Sequence, residues 1–320
     1  MRVFVAGGTG AIGKRLVPML VSRGHEVTAT TRSRDRLASL RALGATAVVM
    51  DGLDAQAVAE AVARAEPEAV IHQMTSLAGG LDTRRFDRCF AVTNALRTRG
   101  TEHLLAAAGA AGVDRVLAQS YTTWTNARSG HGLATEDEPL EPDPPEQQRE
   151  TLAAIRFLEQ AVTQASRRGV VLRYGSLYGP QASEPLVELV RRRRLPVVGG
   201  GTGIWSWVHV DDAAAATVAA LEGGGGGVYN VVDDDPAPVS DWLPYLARVV
   251  GARPPLRVPA WLGRIAGGEV GVSLMTRTRG SSNQKARREL GWSPSFPTWR
   301  EGFRRGLTDA APAARAGRAA

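Results

Sequence analysis

Three glycines near the start of the chain constrain its fold more than any other feature. A short apolar run, Val3 to Ala6, predicts a buried strand, and Gly7, Gly10 and Gly13 follow it before an apolar helical pattern begins at Arg15. In a strand, turn and helix unit, such glycines permit the tight turn, let a pyrophosphate approach the backbone and let the helix pack close to the strand. Free N–H groups at the start of the helix attract phosphates. The stretch therefore predicts a dinucleotide site, with Thr9, Ala11 and Ile12 among its contacts.

The residues after the second predicted strand indicate which dinucleotide binds. About twenty positions past the glycines, an acidic residue would bind ribose hydroxyls, whereas an arginine would accommodate a 2′-phosphate. Arg32 lies at that distance, Arg36 follows it, and no Asp or Glu occupies the strand end. We interpret this pattern as a site for NADP(H). The alternative is a solvated basic turn without a ligand.

Strand and helix patterns alternate five times in the first half of the chain, with short connections. Such alternation predicts a parallel sheet covered on both faces, with the ligand crevice at the carboxyl ends of its strands. The predicted fold class is α/β, a Rossmann-type doubly wound parallel sheet with a smaller C-terminal substrate domain. We expect the NADP-binding domain to span 1–178 and to regain 204–232, the substrate-binding domain to span 179–310, and 311–320 to form a disordered tail.

Composition excludes several classes of protein. The chain has 320 residues and a net charge of +7, but its arginines are scattered without interleaved aromatic residues, which argues against nucleic-acid binding. No signal peptide or membrane span is recognisable, so we expect a cytoplasmic protein. The single cysteine, Cys89, excludes an intrachain disulfide and a cysteine-based metal cluster, and its neighbours Phe86 and Phe90 predict a buried thiol. No metal site is predicted. The proline-rich and acidic segment 131–145 predicts an exposed loop.

Several motifs resemble the short-chain dehydrogenase/reductase superfamily, in its extended and atypical branches of epimerases, dehydratases and reductases. They are the glycine turn and the segments 113–120, 171–180, 208–213 and 286–292, so the resemblance covers almost the whole chain. It implies that Asp51, with Gly52, lies on the adenine side of the cofactor. It also implies that Gln73 and Met74 follow the fourth strand at the cofactor, and that Tyr174 contacts the nicotinamide carboxamide.

The resemblance fails at the superfamily's acid–base pair, a tyrosine and a lysine four residues later on one helix. Glu159 matches a glutamate that usually follows that lysine, which places Thr151 and Ile155 at the tyrosine and lysine positions. A shift by one residue gives Leu152 and Arg156 instead, a cation without a tyrosine. Because Lys14 and Lys285 are the only lysines, no alignment restores the pair.

The remaining candidates for proton chemistry follow the fifth predicted strand. Either Ser120 or Tyr121 occupies the superfamily's serine or threonine position, which depends on a one-residue choice of alignment. We predict that Tyr121 donates the proton, that Ser120 orients the substrate, and that Arg156 is a weaker substitute for the missing cation. The alternative for Tyr121 is a packed aromatic residue whose hydroxyl is already satisfied. Tyr174 and Tyr178 are less favoured donors.

The sequence therefore predicts an NADP(H)-dependent atypical oxidoreductase that acts on a small organic substrate, such as one of specialised metabolism. Two alternatives stay open: a catalytically inactive NADP(H)-binding sensor or scaffold, and an epimerase- or dehydratase-type isomerisation of a sugar-like substrate. The expected partners are a small-molecule substrate and, as an option, a second copy of the chain. Nucleic acid and membrane are not expected partners.

Overall fold

A seven-stranded parallel sheet forms the centre of the molecule in the computed structural model, which describes residues 1–77, 82–165, 168–223 and 225–307. The predicted α/β class, a Rossmann-type doubly wound sheet, is confirmed. The predicted tail, 311–320, lies outside the described residues. The strands, in chain order, are β1 Arg2–Ala6, β2 Glu26–Thr31, β3 Thr46–Val49, β4 Ala69–His72, β5 Val116–Tyr121, β6 Val170–Tyr174, β7 Ser176–Tyr178, β8 Val197–Val198, β9 Ile204–Trp205, β10 Trp207–His209, β11 Gly227–Val231, β12 Ala237–Pro238 and β13 Arg257–Val258.

Helices cover both faces of the sheet and build most of the C-terminal part. They are α1 Gly13–Ser22, α2 Leu37–Ala42, α3 Ala55–Ala65, α4 Phe86–Ala95, α5 Thr101–Ala110, α6 Arg149–Ala165, α7 Glu184–Arg191, α8 Val210–Gly223, α9 Val239–Val249, α10 Ala260–Thr276, α11 Gln284–Leu290 and α12 Trp299–Arg305.

The order of the strands places the ligand crevice. Across the central sheet they run β11, β6, β5, β4, β1, β2, β3, all parallel. The chain reverses its direction of travel across the sheet between β1 and β4, where Ala6 pairs with His72. In open parallel sheets, ligands bind beyond the carboxyl ends of the strands at this switch point. The glycine turn leaves β1 at that position.

Both faces of the sheet are buried, which explains why its inner strands are almost continuously apolar. Val5, Ile71 and Leu172 face a core formed with α1 and α8. Phe4 and Val70 face the opposite core, formed with α3, α5 and α6.

The C-terminal part packs beyond the strand ends. Three small strand pairs, β7 with β10, β9 with β12 and β8 with β13, surround a third core that contains Trp207, Trp242 and Trp299. Within 204–232, β11 is the edge strand of the central sheet and α8 packs on α1. The predicted domain boundaries stay a prediction.

The structure changes the predictions for the segment before β5. The sequence pattern predicts a helix from about Asn94 to Ala111, but the helical segment begins at Phe86, because α4 continues through a π-turn, Leu96–Gly100, into α5. Phe86 and Phe90 stack with ring centroids 4.6 Å apart. Cys89, between them in the chain, is exposed. The predicted buried thiol is therefore wrong.

The segment 131–145 is also not simply an exposed loop. Ala134 and Leu140 are buried, and Ala134 forms a bridge with Ser281 in the C-terminal part. The guanidinium of Arg279, itself buried, binds the carboxylate of Glu138. Polar composition predicted solvent exposure, but a distant arginine holds this segment against the fold.

Candidate active site

A cavity of about 500 Å³ opens beyond the carboxyl ends of β1, β2 and β4. It begins at the glycine turn, continues along the segment after β2 and reaches the residues after β4. Its lining consists of Gly7, Thr9, Gly10, Thr30, Thr31, Arg32, Ser33, Arg36, Met50, Gly52, Met74, Thr75, Ser76, Leu77 and Leu96.

The three glycines of the turn have different physical roles. Gly7 has a φ of +99°, and a Cβ there would lie 2.6 Å from the carbonyl oxygen of Gln73. A Cβ at Gly13 would lie 2.5 Å from the carbonyl oxygen of Gly7, so this glycine lets the start of α1 pack against the turn. A Cβ at Gly10 would meet only that same oxygen, at 3.6 Å, and Gly10 is exposed in the cavity. Gly10 therefore leaves space for a ligand.

The start of α1 also faces this turn. Its N-cap residue, Ile12, makes no side-chain hydrogen bond to the first backbone N–H groups within the described chain. Such N–H groups bind phosphate oxygens. Two predicted contacts, Ala11 and Ile12, do not line the cavity, and Ile12 is buried in the core. The turn as a whole fits the pyrophosphate of a dinucleotide.

Basic side chains surround the far end of the cavity. Arg32 and Arg36 line it and are exposed, and in the described residues neither guanidinium has an ion-pair partner. No carboxylate belongs to the lining. Asp51 accepts a hydrogen bond from the backbone N–H of Leu53 and lies outside the cavity, whereas Gly52 lines it.

A buried histidine connects two residues of the cavity wall through hydrogen bonds. The Nε2 atom of His72 lies 3.2 Å from the carbonyl oxygen of Leu96, and its Nδ1 lies 3.2 Å from the backbone nitrogen of Met74. Because the Met74 N–H donates to Nδ1, Nε2 carries the proton and donates to Leu96. Burial lowers the pKa of His72 to about 4, although the contact to Leu96 acts in the opposite direction. This neutral imidazole joins two residues of the lining.

Tyr174 does not line the cavity, and its contact to the nicotinamide carboxamide stays a prediction. Its side chain is 1% exposed, and its hydroxyl accepts from Nε2 of Gln73 at 3.1 Å and donates to Thr217 at 2.7 Å. Burial raises the pKa of Tyr174 to about 12. The tyrosine is buried and hydrogen-bonded to Gln73, which is itself buried and not part of the lining.

The two positions that the first of the two alignments assigns to the acid–base pair carry no acid. Thr151 and Ile155 are both buried on α6. The hydroxyl of Thr151 donates to the carboxylate of Asp87 at 2.6 Å and accepts from Nδ2 of Asn94 at 3.0 Å. These contacts tie the start of α6 to α4.

Ser120 belongs to a buried network. Its hydroxyl donates to Oε1 of Glu159 at 2.7 Å, and Arg173 binds both oxygens of that carboxylate, at 2.8 and 2.6 Å. The guanidinium of Arg156 donates to the carbonyl oxygen of Glu141, in the segment after β5. In this structure, Ser120 and Arg156 are thus both engaged by protein groups.

Tyr121 is the last residue of β5, at the carboxyl edge of the central sheet, and is not part of the cavity lining. It is half-buried, and its hydroxyl lies 3.0 Å from Oγ of Ser176. Burial raises the pKa of Tyr121, against a smaller opposite effect of the hydrogen bonds to Ser176 and Thr123. Its ring packs with Trp124 against the cluster that contains Ile155. A raised pKa makes this tyrosine a weaker acid than tyrosine in water.

The sequence analysis missed a buried cation, Arg97, in the π-turn. Its side chain is 8% exposed, and its Nη1 has no hydrogen-bond partner in the described residues. Burial lowers the pKa of Arg97 to about 10, with an opposite contribution from Glu159. A signal was present, because Asn94, Arg97 and Thr101 follow one another at helical spacing and form a polar stripe.

Two further classes of site were searched for. Nowhere in the described ranges do three or more His, Cys, Asp or Glu side chains come together as a metal site requires. Along the same ranges, no helix combines the length and apolar character needed to cross a membrane.

Comparison with known proteins agrees with this geometry. The family model for the NAD dependent epimerase/dehydratase family matches residues 3–231. A 3-diazoavenalumate denitrifying reductase from a Streptomyces species is 43% identical over 310 residues, which cover 95% of this chain and 100% of that protein. A 2-alkyl-3-oxoalkanoate reductase from Stenotrophomonas maltophilia is 31% identical over 268 residues, 79% of this chain and 76% of that protein. The structure of UDP-glucose 4-epimerase from Thermus thermophilus in complex with NAD superimposes with a TM-score of 0.73 at 25% identity, over 96% of this chain and 98% of that one.

Proposed function

This chain belongs to the NAD-dependent epimerase/dehydratase family and is an oxidoreductase of small molecules, and we propose that it uses NADPH to remove a diazo group reductively from an organic acid. The observation that carries the proposal is the pair Thr151 and Ile155, both buried, at the positions where the family's acid and lysine would lie. The substrate class comes from the relative that is 43% identical.

The charge of the reacting group explains why such a site needs no acid. A carbonyl that gains a hydride becomes an alkoxide, and general acid catalysis of its protonation is typically worth about a hundredfold to ten-thousandfold in rate. A diazonium group that gains a hydride becomes a neutral diazene. The diazene then releases N₂ as its N–H proton moves to carbon, so the carbon–nitrogen bond breaks and a carbon–hydrogen bond forms. When bound, the reduced cofactor would supply the hydride.

In this proposal, the chain's own residues bind the cofactor and shield the reacting group from water. The glycine turn and the start of α1 hold the pyrophosphate, and Arg32 with Arg36 holds the 2′-phosphate. The apolar cluster of Ile155, Trp124 and Tyr121 keeps water from the reacting nitrogen.

Cofactor preference is tested by titrating the protein with NADPH and with NADH and following the fluorescence of the bound nicotinamide. We expect NADPH to bind more tightly, because charge-assisted contacts to a phosphate contribute roughly 1.5 to 3 kcal/mol each. Arg32→Ala should weaken NADPH by about tenfold and leave NADH unchanged. Equal affinities of the wild-type protein for the two cofactors would exclude this assignment.

A second function, reduction of a ketone, is favoured by one observation. Tyr121 ends β5 beside the crevice, where it is our candidate proton donor, with Ser120 and Arg156 in their predicted supporting roles. The relative named as an oxoalkanoate reductase supports this alternative. The engaged hydroxyl of Ser120 and the raised pKa of Tyr121 favour the diazo substrate.

The two functions predict opposite results for Tyr121→Phe. Purified protein would be mixed with NADPH and either a diazonium derivative of benzoic acid or a 3-oxoalkanoate, and NADPH absorbance and released N₂ would be measured together. We expect NADPH loss to match N₂ release, and Tyr121→Phe to keep kcat within about twofold. A loss of kcat of about a hundredfold or more would identify the tyrosine as an acid and favour the ketone. If neither substrate class consumes NADPH, the sensor alternative is favoured.

A further inference from the structure

Arg97 is a buried cation whose place in the fold has no structural explanation. Its guanidinium makes no hydrogen bond or ion pair with any described residue, although 92% of the residue's surface is buried. A buried charge without a partner destabilises the folded chain. Such a group persists where a ligand supplies the missing partner, so the unpaired Nη1 indicates a binding role.

The packing of α4 and α5 on α6 gives the position of this charge. Asp87, near the start of α4, accepts from the backbone N–H groups of Glu150 and Thr151 at the start of α6. Arg97, ten residues later, interacts with the charge of Glu159 further along α6, so the helices run side by side in the same direction. Arg97 follows Asn94 by about one turn, which places it level with Ile155, one turn after Thr151. Glu159, another turn along α6, is the carboxylate whose charge acts on Arg97.

The π-turn that carries Arg97 also contributes to the cofactor cavity. Leu96, the residue before Arg97, lines that cavity, whereas Arg97 itself is not part of the lining. Single π-turns inside helices are frequent at functional sites. The other described cations near α6 are already bound, since Arg173 pairs with Glu159 and Arg156 donates to Glu141.

We propose that Arg97 positions the nicotinamide half of the cofactor, by donating from its unpaired Nη1 to an oxygen of the nicotinamide ribose. It thereby replaces, from a different helix, the lysine that α6 lacks. This inference rests on the proposed binding of NADPH and assigns one more residue to that site.

The experiment compares Arg97→Met, which keeps an unbranched stem and removes the charge, with Arg97→Lys, which keeps the charge. Arg99→Met is the matched control, because Arg99 lies on the same turn and is exposed. The probes are NADPH and adenosine 2′,5′-bisphosphate, which has the adenosine and the 2′-phosphate but no nicotinamide ribose. Affinities are measured by calorimetry, and the melting temperature is measured without ligand.

We expect Arg97→Met to weaken NADPH on the order of tenfold and to leave adenosine 2′,5′-bisphosphate unchanged. Arg97→Lys should recover most of the loss. The ligand-free melting temperature of Arg97→Met should be unchanged or higher, because the variant removes a buried unpaired charge. Arg99→Met should match the wild type throughout.

Three results would overturn the inference. Unchanged NADPH affinity in Arg97→Met would separate the arginine from the cofactor, and equal weakening of both probes would indicate a general distortion. A lower melting temperature would make Arg97 a structural residue. Failure of the wild-type protein to bind either probe would instead refute the proposed function, and this inference with it.

Discussion

At the scale of single residues, the glycine turn contains one glycine that the fold requires and another that we expect the ligand to require. Gly13 is required by the backbone itself, because an added Cβ would overlap the carbonyl oxygen of Gly7. A Cβ on Gly10 would meet only the carbonyl oxygen of Gly7, at 3.6 Å, so we expect this glycine to be required by the ligand alone. Substitutions at these two glycines, three positions apart in one motif, should therefore have different effects, one on cofactor binding and the other on stability.

Gly10→Val should abolish most cofactor binding without unfolding the chain. The branched side chain would occupy the space for the pyrophosphate, and we expect NADPH to bind more weakly by about 3 kcal/mol, on the order of a hundredfold. Cofactor titration and thermal melting measure the two effects separately. If Gly10→Val lost its cooperative melt together with binding, Gly10 would be a structural residue.

Gly13→Ala is the matched control for Gly10→Val. Its Cβ would lie 2.5 Å from backbone oxygen, which cannot move without shifting the turn. We expect a loss of about 2 kcal/mol or more in the free energy of unfolding. A fully stable Gly13→Ala would contradict the assigned packing role.

At the scale of elements, His72 joins the end of β4 to the π-turn. Because its pKa in the folded chain is about 4, against an ordinary value of 6.5, the fold disfavours the charged imidazole. The free energy of unfolding is therefore highest above pH 6.5, where His72 is neutral in both the folded and the unfolded chain, and it falls as the pH drops towards 4. Protonation of the folded imidazole would also break the hydrogen bond that Nδ1 accepts from Met74.

We expect the free energy of unfolding to fall by up to about 3 kcal/mol over this range because of His72. Denaturant titrations at several pH values measure the fall. His72→Asn keeps an acceptor for the Met74 N–H but does not titrate, so its pH dependence should be flatter. His131→Asn, a change of an exposed histidine, is the control. Parallel pH curves for wild type and His72→Asn would contradict this account.

At the scale of the whole molecule, Arg279 holds the segment after β5 against the C-terminal part. Its guanidinium donates to both carboxylate oxygens of Glu138, at 2.5 and 2.9 Å. It also donates to the backbone carbonyl oxygens of Ser129, His131 and Gly132. One buried side chain therefore joins residues that lie about 140 to 150 positions away.

Arg279→Met should destabilise the chain by roughly 2 kcal/mol and expose this segment to protease. The estimate stays modest because Glu138 is one-third exposed and water would replace part of the lost interaction. Denaturant unfolding and limited proteolysis measure the two effects. Arg287→Met, which removes an exposed ion pair with Asp234, should change stability little. Equal stability of both variants would contradict the role of Arg279 in holding the segment after β5.

Local sequence determined the fold class and predicts the residues at the phosphate end of the site. The glycine turn, the alternation of strands and helices and the arginine after β2 each involve residues close together in the chain, so their chemistry can be read from spacing. The same reading predicts that the acid–base pair is missing, because Lys14 and Lys285 are the only lysines and neither lies in that part of the chain.

Only the tertiary structure decided which polar groups are free. Ser120 is engaged by Glu159, and Tyr174 is held by Gln73 and Thr217, whereas Nη1 of Arg97 has no hydrogen-bond partner in the part of the chain that the structure describes. Each of these facts depends on residues brought together by packing. The exposure of Cys89 was decided in the same way. Spacing along a chain predicts which face of an element a residue occupies, whereas hydrogen bonds and burial depend on what the rest of the fold places opposite it.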